Sequence, residues 1–371
     1  MVLVINTIPF LQEKKTGNTF IYETLSRLIK EQPEHTFVLI SEDAAGPFIS
    51  SENVIHVSIG DAPKNHLKLL IWFHLKIKKV LKKHKAEIFI SNGIGLLATK
   101  IPQIVIVPDL PFLHPQDAVN KKNRFFYKKF TPRFLQKAKA IIVFSQFEKA
   151  NMIRHYKIED IKIQVIYNGA DEKMKPINFE EREKIKEKYA EGNEYFMYSG
   201  IISPQNNLVN LLKAFSVFKK RQRSSMQLFI TGEPGNEYSK FLKSLEQYKF
   251  KNKVKLWNGI PPSEIEKITA ASYAMVYPSP NDTTDTAPFA AMKCGVPVLI
   301  SSTGITHEIC AEAVWYFDPK NYKDIAEKMM MIFKDEKLRK ELIEKGKEQV
   351  KKYNWSNSAV LLWEKIKEIT E

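Results

Sequence analysis

Short apolar runs alternate with helix-period stretches along the whole chain, in two sets separated by one polar segment. The first set reads VLVIN (2–6), TFVLIS (36–41), EIFIS (87–91), QIVIV (103–107), AIIVF (140–144) and QVIYN (164–168). Helical patterns fall between these runs over 19–31, 67–84, 124–137 and 147–155. Residues 169–191 are polar and charged. The alternation then restarts with YFMYS (195–199), MQLFIT (226–231), KVKLW (253–257), YAMVYP (273–278), PVLIS (297–301) and VWYF (314–317). Helical patterns of this half lie near 208–221, 237–248, 263–271, 288–293 and 325–333. A strand that is apolar on both faces has to be covered on both, which is the condition of a parallel sheet between helices. The pattern therefore predicts an α/β chain of two doubly wound domains facing a cleft, with ligands at the carboxyl ends of the strands. The expected divisions are 1–175, 176–353 and a closing amphipathic helix over 354–371.

A chain of 371 residues is long for a single core, which agrees with two domains. Its two cysteines, Cys294 and Cys310, exclude a disulfide framework and suit a reducing, cytoplasmic setting. They fit no zinc spacing, and no metal or cofactor is implied. The opening MVLVINTIPF reads as a first buried strand, not a leader, and no apolar run reaches the roughly 18 residues of a membrane span.

The net charge is +15, and residues 1–178 hold 27 Lys and Arg against 16 Asp and Glu. Two segments, 63–85 and 120–140, carry much of this excess without one acidic residue. On a helical wheel Leu67, Leu70, Phe73, Ile77, Val80 and Leu81 form the inward stripe of the first segment. Lys68 and Lys79 gather on the other side with Trp72 and Leu75, a combination that suits an anionic membrane surface. The plainer reading of such a run is a solvated lysine face. Nucleic acid is not expected as a partner, because no binding module or aromatic platform accompanies the charge.

Three loops hold the residues that could carry chemistry. KKTGNTF puts Gly17 and Asn18 at the start of the first helix, where amides suit a phosphate or sugar, or simply an ordinary turn. VPDLPFLHP carries Asp109 and His114 after a strand, the histidine being able to move a proton near neutral pH. NDTTDTAPFAAMKCGVPVLIS begins with Asp282, Thr283, Thr284, Asp285 and Thr286 and then runs into a short helix, a tight turn and a strand.

These pieces resemble the GT-B glycosyltransferases of the retaining family 4 type. YSGIISPQNNLVNLLKAFSVFKKR (198–221) is similar to the strand, loop and helix that open their C-terminal domain. Residues 273–319 resemble their donor-site block, and 107–115, 141–171 and 353–363 resemble the acceptor loop, interdomain strand and crossover helix. The resemblance implies that a nucleotide sugar lies mostly on the second domain, near Gly200, Asn206, Gly259 and Ile260. It also marks departures. Family cations in the loop after the first strand of that domain match Ile201, Gln205 and Asn206. The paired acids match Asp282 and Ala290, and the turn glycines match Thr283 and Asp285. The acceptor-side histidine matches Pro108, beside Asp109, which leaves His114 as a substitute.

Two functions follow from the resemblance. In the first, the chain moves a sugar from a UDP- or GDP-linked donor to a glycan or lipid-linked acceptor for cell-surface polysaccharide or glycolipid synthesis, peripherally on the inner face of the plasma membrane. Asp282, Asp109 and His114 would then be its catalytic residues, and Thr283, Thr284, Asp285 and Thr286 would contact the donor. In the second, it is an inactive relative that binds an active glycosyltransferase partner.

Overall fold

In the computed structural model, which describes residues 1–8, 16–42, 49–63, 65–107, 121–280 and 286–371, each strand set becomes one all-parallel sheet. The chain divides into two units, Met1–Gly169 with Trp355–Glu371, and Ala170–Asn354. The division therefore falls six residues before the expected boundary, and the closing helix belongs to the first unit.

The first unit begins with β1 (Val2–Asn6), α1 (Thr16–Glu31), β2 (Thr36–Ser41), β3 (Val54–Ser58) and α2 (His66–Lys83). It continues through β4 (Ile88–Asn92), β5 (Gln103–Ile106), α3 (Lys121–Lys137), β6 (Ala140–Val143), α4 (Gln146–Tyr156) and β7 (Ile163–Val165). The strand order is β3-β2-β1-β4-β5-β6-β7. Residues of α2, α3 and α4 share one buried cluster on one face, including Phe73, Phe134 and Met152. On the other face α1 supplies Phe20 and Leu28 to a second cluster.

The second unit holds α5 (Phe179–Ala190), β8 (Tyr195–Ser199), α6 (Leu208–Gln222), β9 (Gln227–Thr231), α7 (Tyr238–Glu246), β10 (Val254–Trp257) and α8 (Pro262–Ala271). After β11 (Ala274–Tyr277) come α9 (Ala287–Lys293), β12 (Val298–Ser301), α10 (Gly304–Cys310), β13 (Trp315–Phe317), α11 (Tyr322–Lys334) and α12 (Glu336–Val350). The order here is β10-β9-β8-β11-β12-β13. The chain then returns to the first unit as α13 (Trp355–Thr370), which buries Trp355, Leu362 and Ile366 in the same cluster as α1. The return is tight: Gly169 lies against the backbone and ring of Trp355, and the Ser358 hydroxyl donates to the Tyr167 carbonyl at 2.7 Å.

Four elements are absent from the sequence-based pattern, and each has a local reason. β3 is an edge strand whose Ile55 and His56 are exposed, so it lacks the continuous apolar run of its neighbours. α5 lies inside the polar segment and buries only a narrow stripe of Ile185, Lys186, Tyr189 and Ala190. It is held by the Asn178 cap and by Lys186, whose ammonium contacts Glu183 at 2.6 Å and Glu194 at 2.9 Å. α10 has only seven residues, too few for a helical period to stand out, and α12 is charged on most of its surface.

α2 also departs from its expected wheel. Leu67, assigned to the inward stripe, is 60% exposed, and Leu69 is buried in its place. Trp72, expected on the exposed face, is half-buried and packs against the core cluster, whereas Lys68, Leu75 and Lys79 are exposed. Asn65 caps the helix by accepting from the amides of Leu67 and Lys68 at 3.0 and 3.2 Å. Among the described residues no helix is long and apolar enough to cross a membrane.

His74 ties α2 to the segment after β4. Its Nε2 accepts from the Leu97 amide at 2.7 Å, so Nδ1 carries the proton and donates to the Leu70 carbonyl at 2.8 Å. Burial holds the imidazole below its ordinary pKa of 6.5, the Leu70 carbonyl opposes this, and Lys78 adds to the lowering. A depressed histidine stabilises the fold fully above pH 6.5, and its contribution is lost as pH falls through the lowered value. Urea unfolding at pH 8 and pH 5 is expected to show a larger acid loss in the wild type than in His74→Gln. Equal losses would remove this histidine from the acid sensitivity.

Candidate functional site

In a doubly wound sheet the polar groups that can meet a ligand gather where the strand order reverses. In the second unit the chain runs β8, β9, β10 in one direction and then returns to the far side of β8 as β11. The reversal lies between β8 and β11, and the segments leaving their carboxyl ends begin at Gly200 and Pro278. These are the two segments that sequence reasoning selected for the donor.

Side chains bridge that gap. The Asn206 amide nitrogen donates to the Ile201 carbonyl at 2.7 Å, and its Oδ1 accepts from the Ser279 hydroxyl at 3.3 Å. Asn207, left-handed at φ 63°, donates to the carbonyls of Pro278 at 3.1 Å and Pro319 at 2.7 Å. The Tyr198 hydroxyl also donates to the Ile201 carbonyl at 3.0 Å, and its ring stacks on Tyr277 with centroids 5.7 Å apart. Asn206 thus has both ends of its amide engaged in shaping the loop. Asn207, Ser279 and Tyr198 were missed from sequence, although the paired asparagines in SPQNN were a readable signal.

The resemblance implies that the Gly200 backbone lies close to a ligand. Its amide donates to the Thr231 carbonyl at 3.0 Å, and its carbonyl lies under Gly232. The close approach is therefore between the ends of β8 and β9. Gly259 follows β10 and is exposed at φ 69°, with nothing within 4 Å of an added Cβ. Because β10 is two strands from β8, Gly259 stands about 10 Å along the sheet edge from the reversal. Ile260 turns the other way and packs on the cluster of Ile185, Tyr189 and Ile268.

Thr286 occupies the N-cap position of α9, where its carbonyl accepts from the Ala290 amide at 2.9 Å and its side chain makes no capping bond. Asp282, Thr283, Thr284 and Asp285 lie outside the described residues. Next to β11, the end of β12 carries a polar group that sequence reasoning also missed. Thr303 and Thr306 form a capping box, and Ser302 Oγ lies 2.8 Å from Nε2 of His307, whose ring stacks on Tyr316 at 4.0 Å.

The first sheet has its own reversal, between β1 and β4. Both strands end in a buried asparagine, Asn6 and Asn92, and Asn6 donates to the Ser91 hydroxyl at 3.3 Å. Two apolar strands that each end in asparagine were the legible signal here. Gly17 and Asn18 are the second and third residues of α1, the helix that follows β1. Asp109 and His114 lie outside the described residues, beyond Val107 at the carboxyl end of β5.

The comparisons with known proteins agree with the fold. The family described as Glycosyltransferase Family 4 matches residues 17–173, and that described as Glycosyl transferases group 1 matches residues 179–349. The O-antigen chain mannosyltransferase B of Escherichia coli is 24% identical over 248 residues, 67% of this chain. The match spans 64% of that relative's length, less than two thirds. WaaG, a glycosyltransferase involved in lipopolysaccharide biosynthesis, superposes with a TM-score of 0.77 at 14% identity, covering 97% of this chain and 99% of WaaG. HepE of Anabaena in complex with UDP-glucose superposes with a TM-score of 0.76 at 15% identity, covering 99% of this chain and all of HepE.

Two glycines of the second unit are expected to respond differently to alanine. At Gly232 the new Cβ would fall 1.8 Å from the Gly200 carbonyl oxygen, at φ 142°. Gly232→Ala is expected to cost about 3 kcal/mol or more, since backbone must move as well as accept strain. Gly259→Ala meets open space and carries only the left-handed penalty, roughly 1 kcal/mol. Urea midpoints check this ranking, and equal costs would contradict the packed approach of β8 and β9.

Proposed function

Because the chain belongs to the GT-B glycosyltransferases of the family 4 type, we propose that it transfers a sugar from a nucleotide-sugar donor to a glycan or lipid-linked acceptor. The donor is UDP- or GDP-linked, the anomeric configuration is retained, and the product belongs to a cell-surface polysaccharide or glycolipid. The reaction takes place on the cytoplasmic face of a membrane. The observation that carries this reading is the strand reversal between β8 and β11, where the 200–207 loop is bonded to Pro278 and Ser279 at the end of β11. Support for a UDP-linked donor comes from the HepE complex, and support for polysaccharide synthesis comes from the O-antigen mannosyltransferase.

The chemistry is electrostatic. As the bond between sugar and diphosphate breaks, negative charge grows on the leaving phosphate and has to be met by oriented donors. Residues 200–207 contain no Lys or Arg, so backbone amides and the hydroxyls of Thr283, Thr284 and Thr286 take that part. Asp282 faces the transferred sugar, and Asp109 and His114 serve the acceptor side. Asp285 stands in the same loop, and a carboxylate beside a diphosphate weakens binding unless a cation lies between them.

Calorimetry with UDP, GDP and their sugars is expected to show binding of at least one. A folded protein that binds none of them would overturn the proposal and favour the inactive, partner-binding alternative. Asp285→Gly with Ala290→Glu is expected to tighten the bound nucleotide more than tenfold, about 1.4 kcal/mol. Unchanged affinity would remove Asp285 from the donor loop.

A further inference from the structure

The exposed face of α2 combines two features that rarely coincide without a partner. Leu67, Ile71 and Leu75 are 60, 54 and 67% exposed, one turn apart on the same face. All six lysines of the helix are exposed, and it contains no acidic residue. At 100° per residue, Leu67, Ile71, Leu75, Lys78 and Lys82 fall within an arc of about 80°, with Lys68 and Lys79 at its margin.

The last turns of this face open into a pocket of about 860 Å³. Lys78, Lys82, Lys85, Lys100 and Lys137 line it over an apolar floor that includes Leu81, Leu97 and Ile101. Among the described residues that line it there is no carboxylate. Glu87, which follows the lining residue Ala86, accepts from the Val2 amide at 2.6 Å and lies 3.8 Å from the Met1 amino group.

Position separates this pocket from the candidate transferase site. The end of α2 leads into β4, residues 97–101 lead into β5, and Lys137 leads into β6. The pocket therefore lies at the amino ends of these strands, whereas donor and acceptor are expected at the carboxyl ends.

We propose that α2 and this pocket form one docking surface for an anionic lipid bilayer. Leu67, Ile71 and Leu75 enter the boundary between headgroups and acyl chains. Lys78 and Lys82, which belong to both the helix face and the pocket, draw a phosphate-bearing headgroup into it. This deepens the membrane setting of the proposed reaction and needs nothing from the donor loop. Lysine charge alone would suit any polyanion. The three exposed aliphatic side chains within that charge favour lipid, because they can bury in the acyl boundary of a bilayer, whereas a phosphate backbone offers them no apolar surface.

Co-sedimentation of the full chain with phosphatidylcholine vesicles, with and without phosphatidylglycerol, tests the proposal. Binding is expected to require phosphatidylglycerol and to weaken with salt. Two variants separate the contributions, Leu67→Ser with Ile71→Ser and Leu75→Ser, and Lys78→Gln with Lys82→Gln and Lys100→Gln. All these positions are at the surface or line the pocket, and circular dichroism checks that both variants fold. Each is expected to lower vesicle partitioning at least tenfold, about 1.4 kcal/mol, while leaving the thermal response to UDP and GDP as in the wild type. Failure of the donor reading would appear in the nucleotide response alone, with vesicle binding retained.

Three results would overturn the docking surface. One is no binding to anionic vesicles at low salt. Another is wild-type partitioning by both variants. The third is an aliphatic variant that keeps full vesicle binding while the lysine variant loses vesicle, pyrophosphate and duplex DNA binding alike, which would make the face a general polyanion site.

Discussion

Strands that are apolar on both faces force helices onto both sides of each sheet, and this requirement decides where polar groups can gather. Once α2, α3 and α4 cover one face of the first sheet and α1 with α13 cover the other, only the strand ends remain for chemistry. At the carboxyl ends the order reverses between β1 and β4 and between β8 and β11. Asn6, Ser91 and Asn92 collect at the first reversal, and Asn206, Asn207 and Ser279 at the second. Buried and half-buried amides of this kind are tolerated because they are bonded, and in being bonded they fix the loops that a ligand would meet.

Much of the fold was legible because its signals are local and repeated. Twelve strands appeared in the sequence as short apolar runs, and most helices between them showed an inward stripe. Legibility failed where burial is one-sided or narrow. β3 is exposed at Ile55 and His56, α5 hides only a stripe among charged residues, and the wheel of α2 rotated enough to expose Leu67 and bury Leu69. A wheel fixes the width of an apolar stripe better than its centre, because Leu, Ile and Trp can lie on either margin.

The site was legible in outline and not in detail. Gly200 and Asn206 were selected as ligand contacts, yet both are explained first by the loop they build, one through the approach of Gly232 and the other through Ile201 and Ser279. Asn207 was readable only as half of an asparagine pair, because the carbonyls it binds, those of Pro278 and Pro319, lie 71 and 112 positions away. The cations and the ribose acid expected from the resemblance are absent from their matching positions, which are Ile201, Gln205, Asn206 and Ala290.

The central claim is that the reversal between β8 and β11 is where a nucleotide sugar is held. The most direct measurement is a crystal structure of the chain with a bound nucleoside diphosphate. Phosphates within hydrogen-bond distance of the 200–207 and 278–286 segments are expected. A nucleotide bound instead at the amino ends of β4 and β5, or one whose phosphates avoid both segments, would contradict the claim.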